Sequence, residues 1–326
     1  MMRGATFLAC AVLCGAACYA VALGIGNAYV FFAGYVVLQY IVLATAWNVL
    51  GGYTGYVNFG TAGFFALGAY TSVALGTLWA LPIPVLILCG GLVSAVVGLG
   101  MGYLTLRLRG AFFSIATLAM AVVLQTLIVN WEFVGGSGGA YTVRPATTPL
   151  LGIDYIQYLF LLMLALAVLS VALARWIERS RLGRGFAAIR DDELAAEASG
   201  VPTLRLKLLA TVLSGGLMGM AGAPLPFYVT FLDPASAFSL GYAVNSIAMP
   251  LIGGTASWAG PVVGAVLLGT LQQVATVTIS SALNLLIVGV LLVGFVVVAP
   301  NGLMGLAGVR SPARGQRRWL MAWLRP

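Results

Sequence analysis

Ten stretches of nearly unbroken apolar residues divide the chain, at roughly 5–23, 28–50, 59–80, 83–106, 111–131, 153–175, 208–229, 237–257, 260–280 and 283–299. Their lengths cluster near the ~20 residues that a helix needs to cross about 30 Å of hydrocarbon. Backbone amides in lipid have no water to bond, so each such stretch must satisfy itself as a helix. The pattern predicts an all-α polytopic membrane protein of about ten transmembrane helices. Pro82, Pro84, Pro149, Pro202, Pro234 and Pro261 fall at or near segment edges, where a missing N–H costs least, whereas Pro224, Pro226 and Pro250 lie within segments and predict kinked or broken helices. The first stretch, Arg3 followed by an apolar run, also has the outline of a signal peptide; its length favours an uncleaved first span.

The polar positions are as uneven as the apolar ones. Between Arg175 and Lys207 lie twelve of the twenty-four charged residues, while none occurs from Gly4 to Leu106 or from Pro234 to Val309. Ten crossings with Arg3 inside put fifteen basic residues on one side of the membrane and only Arg144 on the other. Short cytoplasmic loops carry such an excess. This predicts cytoplasmic termini, a cytoplasmic charged island, and an external Gly-rich loop at 134–140. The expected organisation is a transmembrane domain over 1–309, with a cytoplasmic loop at about 176–207, followed by a basic cytoplasmic tail over 310–326.

Composition narrows the function by subtraction. The chain is 61% hydrophobic and 7% charged, against about a quarter charged in soluble domains. Its net charge of +8 sits in short loops and not in a basic stripe with interleaved aromatics, which argues against nucleic acid and leaves lipid as the surroundings. Cys10, Cys14 and Cys18 share one helix face but read as small apolar filler, with no histidine anywhere to complete a metal site and Cys89 isolated. The segments hold no clear interior carboxylate to couple protons or cations, and no nucleophile–base pair to suggest an enzyme. The chain has no phosphate-binding G-x-x-x-x-G-K-[ST] loop, so if ATP drives it, another polypeptide binds the ATP and its magnesium. What the segments offer is neutral polarity: Gln39, Asn48, Asn58, Gln125, Asn130, Asn245, Gln272, Gln273 and Asn284. These fit either a path for a small polar solute or interhelical hydrogen bonds.

The island is ordered internally. Arg184 to Gly200 reads as one or two short helices, with Gly200 as C-cap and Pro202 just beyond. Phe186, Ile189 and Leu194 are too apolar for a loop without a partner. Ala195-Ala196-x-x-x-Gly200 resembles the A-A-x-x-x-G core by which ABC-importer permeases engage their ATPases. Four ordered stretches extend the likeness: GYTGYVNFGTAGFFALGAY from Gly52, RLRGAFFSIATLAM from Arg107, GRGFAAIRDDELAAEASG from Gly183 and LIGGTASWAGPVVGA from Leu251, with Gly135–Gly139 as a further loop. On these the chain resembles the branched-chain amino-acid ABC transporter permease family. It departs from the pattern at Leu194, where Glu is usual and Glu193 stands one residue early, and at Asn58, where Ser is common.

The resemblance implies a bacterial inner-membrane importer subunit that works with a second homologous permease, two ATPases and a periplasmic binding protein. The cargo would be leucine, isoleucine and valine, or the other amino acids, urea or short amides carried by relatives. It places ATPase coupling on Arg184, Ala188, Arg190, Glu193, Ala195, Ala196 and Gly200, with the charges setting register against the ATPase. A translocation path is expected near Gly52, Gly55, Tyr56, Asn58, Gly60, Gln125, Gly253 and Gly254, because glycines allow broken helices whose backbone can face a zwitterion. The competing reading of the residues alone is a secondary transporter or facilitator acting without partners.

Overall fold

The structure, a computed structural model, describes residues 4–79, 81–142, 154–278, 289–290, 294 and 302–306. Most of the tenth apolar segment (283–299) and the whole tail (310–326) lie outside these residues. The other nine segments are helices. They are α1 (Gly4–Ile25), α2 (Ala28–Thr54), α3 (Thr61–Trp79), α4 (Ile83–Thr105), α5 (Ala111–Val129) and α6 (Tyr155–Arg179). After the island helices α7 (Arg181–Asp191) and α8 (Glu193–Ala198) come α9 (Thr203–Gly222), α10 (Leu225–Val229), α11 (Pro234–Ala237), α12 (Leu240–Gly253) and α13 (Ala259–Thr278). Among the described residues, eight helical segments are long and apolar enough to cross a membrane, α9–α10 and α11–α12 each counting as one.

The prolines act as their chemistry requires. Pro224 ends α9 and starts α10, and Pro250 sits inside α12, where it removes one hydrogen bond of the helix ladder. The sequence suggested that the seventh span begins at 208. Its helix instead begins at Thr203, directly after Pro202. Arg205 and Lys207 do not stop the helix, because one is exposed and the other is buried against a partner.

The second helix is the axis of the bundle. Every residue from Ile41 to Leu50 is buried, and α6, α9, α12 and α13 pack round it. Close approach elsewhere depends on glycine. A Cβ on Gly68 of α3 would lie 1.9 Å from the carbonyl oxygen of Gly219 on α9, and one on Gly253 of α12 would lie 1.8 Å from that of Gly260 on α13. Small residues at such crossings let helices gain dispersion contacts where lipid gives no hydrophobic drive. Polar side chains add fixed points: Gln272 Nε2 donates to Asn245 Oδ1 (2.9 Å), and Asn245 Nδ2 to the Tyr40 hydroxyl (3.1 Å).

At the periphery, the Arg175 guanidinium lies 3.8 Å from the Phe7 ring centroid and 5.5 Å from that of Trp258, which fastens α1 to α6 and to the α12–α13 connection. At the end away from the island, Ala140–Tyr141 pairs antiparallel with Phe231–Leu232 and ties the Gly-rich loop to the segment after α10.

Candidate functional site

The island folds back onto the bundle as two capped helices. Ser180 caps α7, its hydroxyl accepting from the amides of Leu182 and Gly183. Phe186 and Ile189 then bury into an apolar cluster with Val49, Leu50, Tyr53 and Ile177. Asp192 ends α7 and caps α8 by accepting from the Ala195 amide at 3.0 Å. Gly200 closes α8 in the left-handed region (φ 81°). The amide of Val201 bonds back to Ala196 O, and that of Gly200 to Glu197 O. This is the Schellman arrangement that the sequence's A-A-x-x-x-G spacing suggests.

Two charges of the island have partners within the chain, while Asp191, Asp192 and Glu197 are exposed. Arg190 Nη1 donates to Gly52 O at 3.3 Å, placing a cation against the carbonyl end of α2, where the helix dipole favours it. Glu193 turns inward. Its Oε1 accepts from Lys207 Nζ at 2.7 Å, its Oε2 accepts from the Tyr56 hydroxyl at 2.5 Å, and Arg109 stands 3.6 Å away. Lys207 Nζ also donates to the Tyr56 hydroxyl (3.1 Å) and to Leu106 O (3.4 Å). One ammonium thus joins α9, the α2–α3 loop, the end of α4 and α8.

The Lys207 side chain is 5% exposed and that of Glu193 13%. Removing one partner of such a buried pair strands the other charge, at a cost of about 3–5 kcal/mol. Burial pushes the Glu193 carboxyl upward, but hydrogen bonds from Lys207 and Tyr56 and the charges of Lys207 and Arg109 outweigh it and hold the group below its usual range. Burial and the neighbouring carboxylate together push the Tyr56 phenol well above its ordinary value.

Alanines 195 and 196 also separate. Ala195 is exposed, while Ala196 is buried against its own chain, so a bulky residue at 196 would disturb the protein's interior before any partner. What α8 presents outward is Leu194, Ala195, Glu197, Ala198 and Ser199. Leu194, the departure from the family pattern, is 63% exposed. Arg184 is exposed and Ala188 half-buried on α7.

Of the residues expected near a path, all but Gln125 gather at the island end of the bundle. The 55–60 loop is braced on three sides. Trp47 Nε1 donates to Asn58 O (2.8 Å), Ser114 Oγ donates to Val57 O (2.8 Å), and the Phe59 amide donates to Thr117 Oγ1 (3.0 Å). Asn58 is buried, and its Oδ1 accepts from the Gly60 amide, so the side chain shapes the turn. Gly55 caps α2 in the left-handed region (φ 81°). Gly253 and Gly254 lie close in sequence to Thr255, whose carbonyl oxygen would meet a Cβ on Gly52 in the last turn of α2 at 3.0 Å. Gln125 is half-buried further along α5. A groove of ≈ 230 Å³ opens between Gly55, Tyr56, Val57, Gly110, Ala111 and Ser114.

Sequence reasoning passed over Lys207 as a site residue. The available signal was that it is the chain's only lysine and lies at the edge of an apolar run.

Residues 29–296 match the family described as the permease component of the branched-chain amino acid transport system. The high-affinity branched-chain amino acid transport system permease protein LivM of Salmonella typhimurium is 29% identical over 289 residues, covering 81% of this chain and 67% of that one. A probable branched-chain amino acid transport permease protein, LivH of Methanocaldococcus jannaschii, is 24% identical, covering 78% and 84%. A solved inward-facing transporter assigned to the metal-chelate ABC type superposes with a TM-score of only 0.42 at 15% identity, over 90% of this chain and 99% of that one. With residues 29–296 inside the family match, the chain belongs to the branched-chain amino-acid transport permease family.

Proposed function

We propose that this protein is the membrane-spanning subunit of a bacterial importer, carrying branched-chain amino acids handed over by a periplasmic binding protein. The observation that carries the reading is the family match over 29–296, joined to a capped helix pair packed on the bundle at the end where positive charge gathers. A second, homologous permease subunit completes the membrane unit. Two ATPase subunits bind ATP and magnesium and dock on α7–α8, with the outward face of α8 as the contact. The island and both termini would face the cytoplasm, a reading that the distribution of basic residues supports. Gly52, Gly55, Tyr56, Asn58, Gly60, Gly253 and Gly254 then stand round the inner mouth of the path, with Gln125 further along it.

Reconstitution in liposomes with the co-encoded ATPases, permease and binding protein tests this. ATP-dependent uptake of leucine, isoleucine or valine is expected. Uptake of urea or a short amide in their place would redirect the cargo, and uptake by this chain alone without nucleotide would overturn the importer reading.

A further inference from the structure

Helix α8 touches the rest of the chain at few points. Leu194, Ala195, Glu197, Ala198, Ser199 and Gly200 are exposed, and only Ala196 is buried. Beyond the Thr203 hydroxyl, which donates to Glu197 at 2.6 Å, its polar connection to the bundle is Glu193, the first residue of the helix. That carboxylate meets Lys207 of α9, Tyr56 of the α2–α3 loop and Arg109 of the α4–α5 loop. Helix α7 is held mainly by the buried apolar side chains of Phe186 and Ile189, with Arg190 Nη1 on Gly52 O beside them. The two island helices therefore have unlike attachments: mostly apolar packing with one cation on a carbonyl for α7, and a buried ion-pair joint for α8.

The far side of the joint is stiff. Tyr56 belongs to the loop that Trp47, Ser114 and Thr117 brace against α2 and α5, and its ring packs edge-on against Phe113 of α5 at 5.1 Å. Lys207 reaches the end of α4 through Leu106 O. A displacement of α8 that keeps the joint closed must carry Tyr56, and with it the ends of α2 and α5, because the intervening contacts are short and fixed. A buried ion pair suits this use, since opening it would strand a charge in a site with little water.

We propose that Glu193, Lys207 and Tyr56 form a transmission joint: positioning residues that pass movement of α8 to α2, α5 and α9, so that transport per ATP depends on their connection. This rests on the reading that an ATPase docks on α7–α8. It assigns Glu193 to the membrane side of the coupling loop and leaves the outward contact to its neighbours.

The test compares Lys207→Met, Glu193→Gln, Tyr56→Phe and the charge exchange Glu193→Lys with Lys207→Glu, each in the assembled complex. Two quantities are read: solute imported per ATP hydrolysed, and the nucleotide-induced change in hydrogen exchange at Thr203–Lys207 and at the 55–60 loop. Retained ATPases are expected in the single variants, with a fall of about tenfold in import per ATP for the charge variants and two- to fivefold for Tyr56→Phe. The exchange response should become confined to α7–α8, and the charge exchange should recover most of the ratio. An unchanged ratio in the intact single variants would overturn the proposal, as would a loss of bound ATPases that explains the whole effect. If the charge variants do not accumulate, Tyr56→Phe decides alone, and wild-type behaviour there refutes the joint. Should the wild-type complex import no branched-chain amino acid, the cargo reading fails by itself, and the exchange measurement, which needs no cargo, still judges the joint.

Discussion

Replacing Gly68 by alanine should destabilise the protein, whereas the same replacement at Gly76, two turns along the same helix, should not. A Cβ at Gly68 would stand 1.9 Å from Gly219 O, 2.6 Å from its carbonyl carbon and 2.7 Å from its Cα. Carbon–oxygen contacts settle at about 3.3 Å or more, so α3 and α9 must part by roughly 1.4 Å at this crossing. The obstacle is backbone, and no side-chain rotation can relieve it. Gly90 of α4 also approaches Gly68, with 3.1 Å between its own would-be Cβ and Gly68 O, so a third helix resists the movement. Overpacking of this kind costs about 1–3 kcal/mol, and the backbone nature of the clash favours the upper end. Against it stands a helix-propensity gain of at most about 1 kcal/mol. At Gly76 nothing lies within 4 Å of the added carbon, so only the gain operates. The two variants should therefore differ by about 2–3 kcal/mol, which for a chain of 326 residues is a gap of roughly 3–4 °C in Tm. Thermal unfolding of the detergent-solubilised protein, followed by size-exclusion recovery, measures it. A Gly68→Ala protein as stable as Gly76→Ala would refute the argument from close helix approach.

Three further outcomes follow from the island. Gly200→Val should weaken the α8 cap through its left-handed backbone by about 1–2 kcal/mol, while Gly200→Asn should be nearly silent, since open space surrounds the position; local hydrogen exchange of α8 separates them. Ala195→Trp should reduce co-purification of the ATPases with the permease still stable, whereas Ala196→Trp, at a buried position, should first lower the permease's own Tm; equal effects on both readouts would contradict the assignment of faces. The carboxyl of Glu193 is held below its ordinary range, and a depressed carboxyl contributes stability that is full above its unfolded pKa of about 4.3 and is lost as pH falls through the folded value. The Tm gap between wild type and Glu193→Gln should thus be constant from pH 7 to 5 and close below about pH 4; closure already by pH 5 would mean the pair is not the source.

The spans were legible because lipid enforces a simple rule on long apolar runs, and prolines mark their edges. The α7–α8 helix pair was legible for a related reason: Ser180, Asp192 and Gly200 are local capping signals that need no knowledge of distant residues. The direction of the charges was not. Glu193 bonds Lys207 fourteen residues later and Tyr56 137 residues earlier, and an acidic residue in a charged island reads the same whether it meets water, a partner or its own chain. Asn58 shows the same limit. Its residue type suits a solute path, yet its oxygen accepts from an amide two residues away.

The central position of α2 has a consequence for biosynthesis. It is the second helix made, but Gln39 donates to Ala221 O, 182 positions later, and Tyr40 accepts from Asn245, 205 positions later. At 5–20 residues per second these partners emerge roughly 10–40 s after α2 itself. During that interval a helix whose Ile41–Leu50 run will be fully buried is still open to lipid or to the insertion machinery, with polar groups waiting. The bundle cannot grow outward by adding each new helix to a finished core. Its early helices must stay loosely associated until α9 and then α12–α13 close round α2, and a pause in translation between them would prolong the stage at which the nascent protein is most open to quality-control proteolysis.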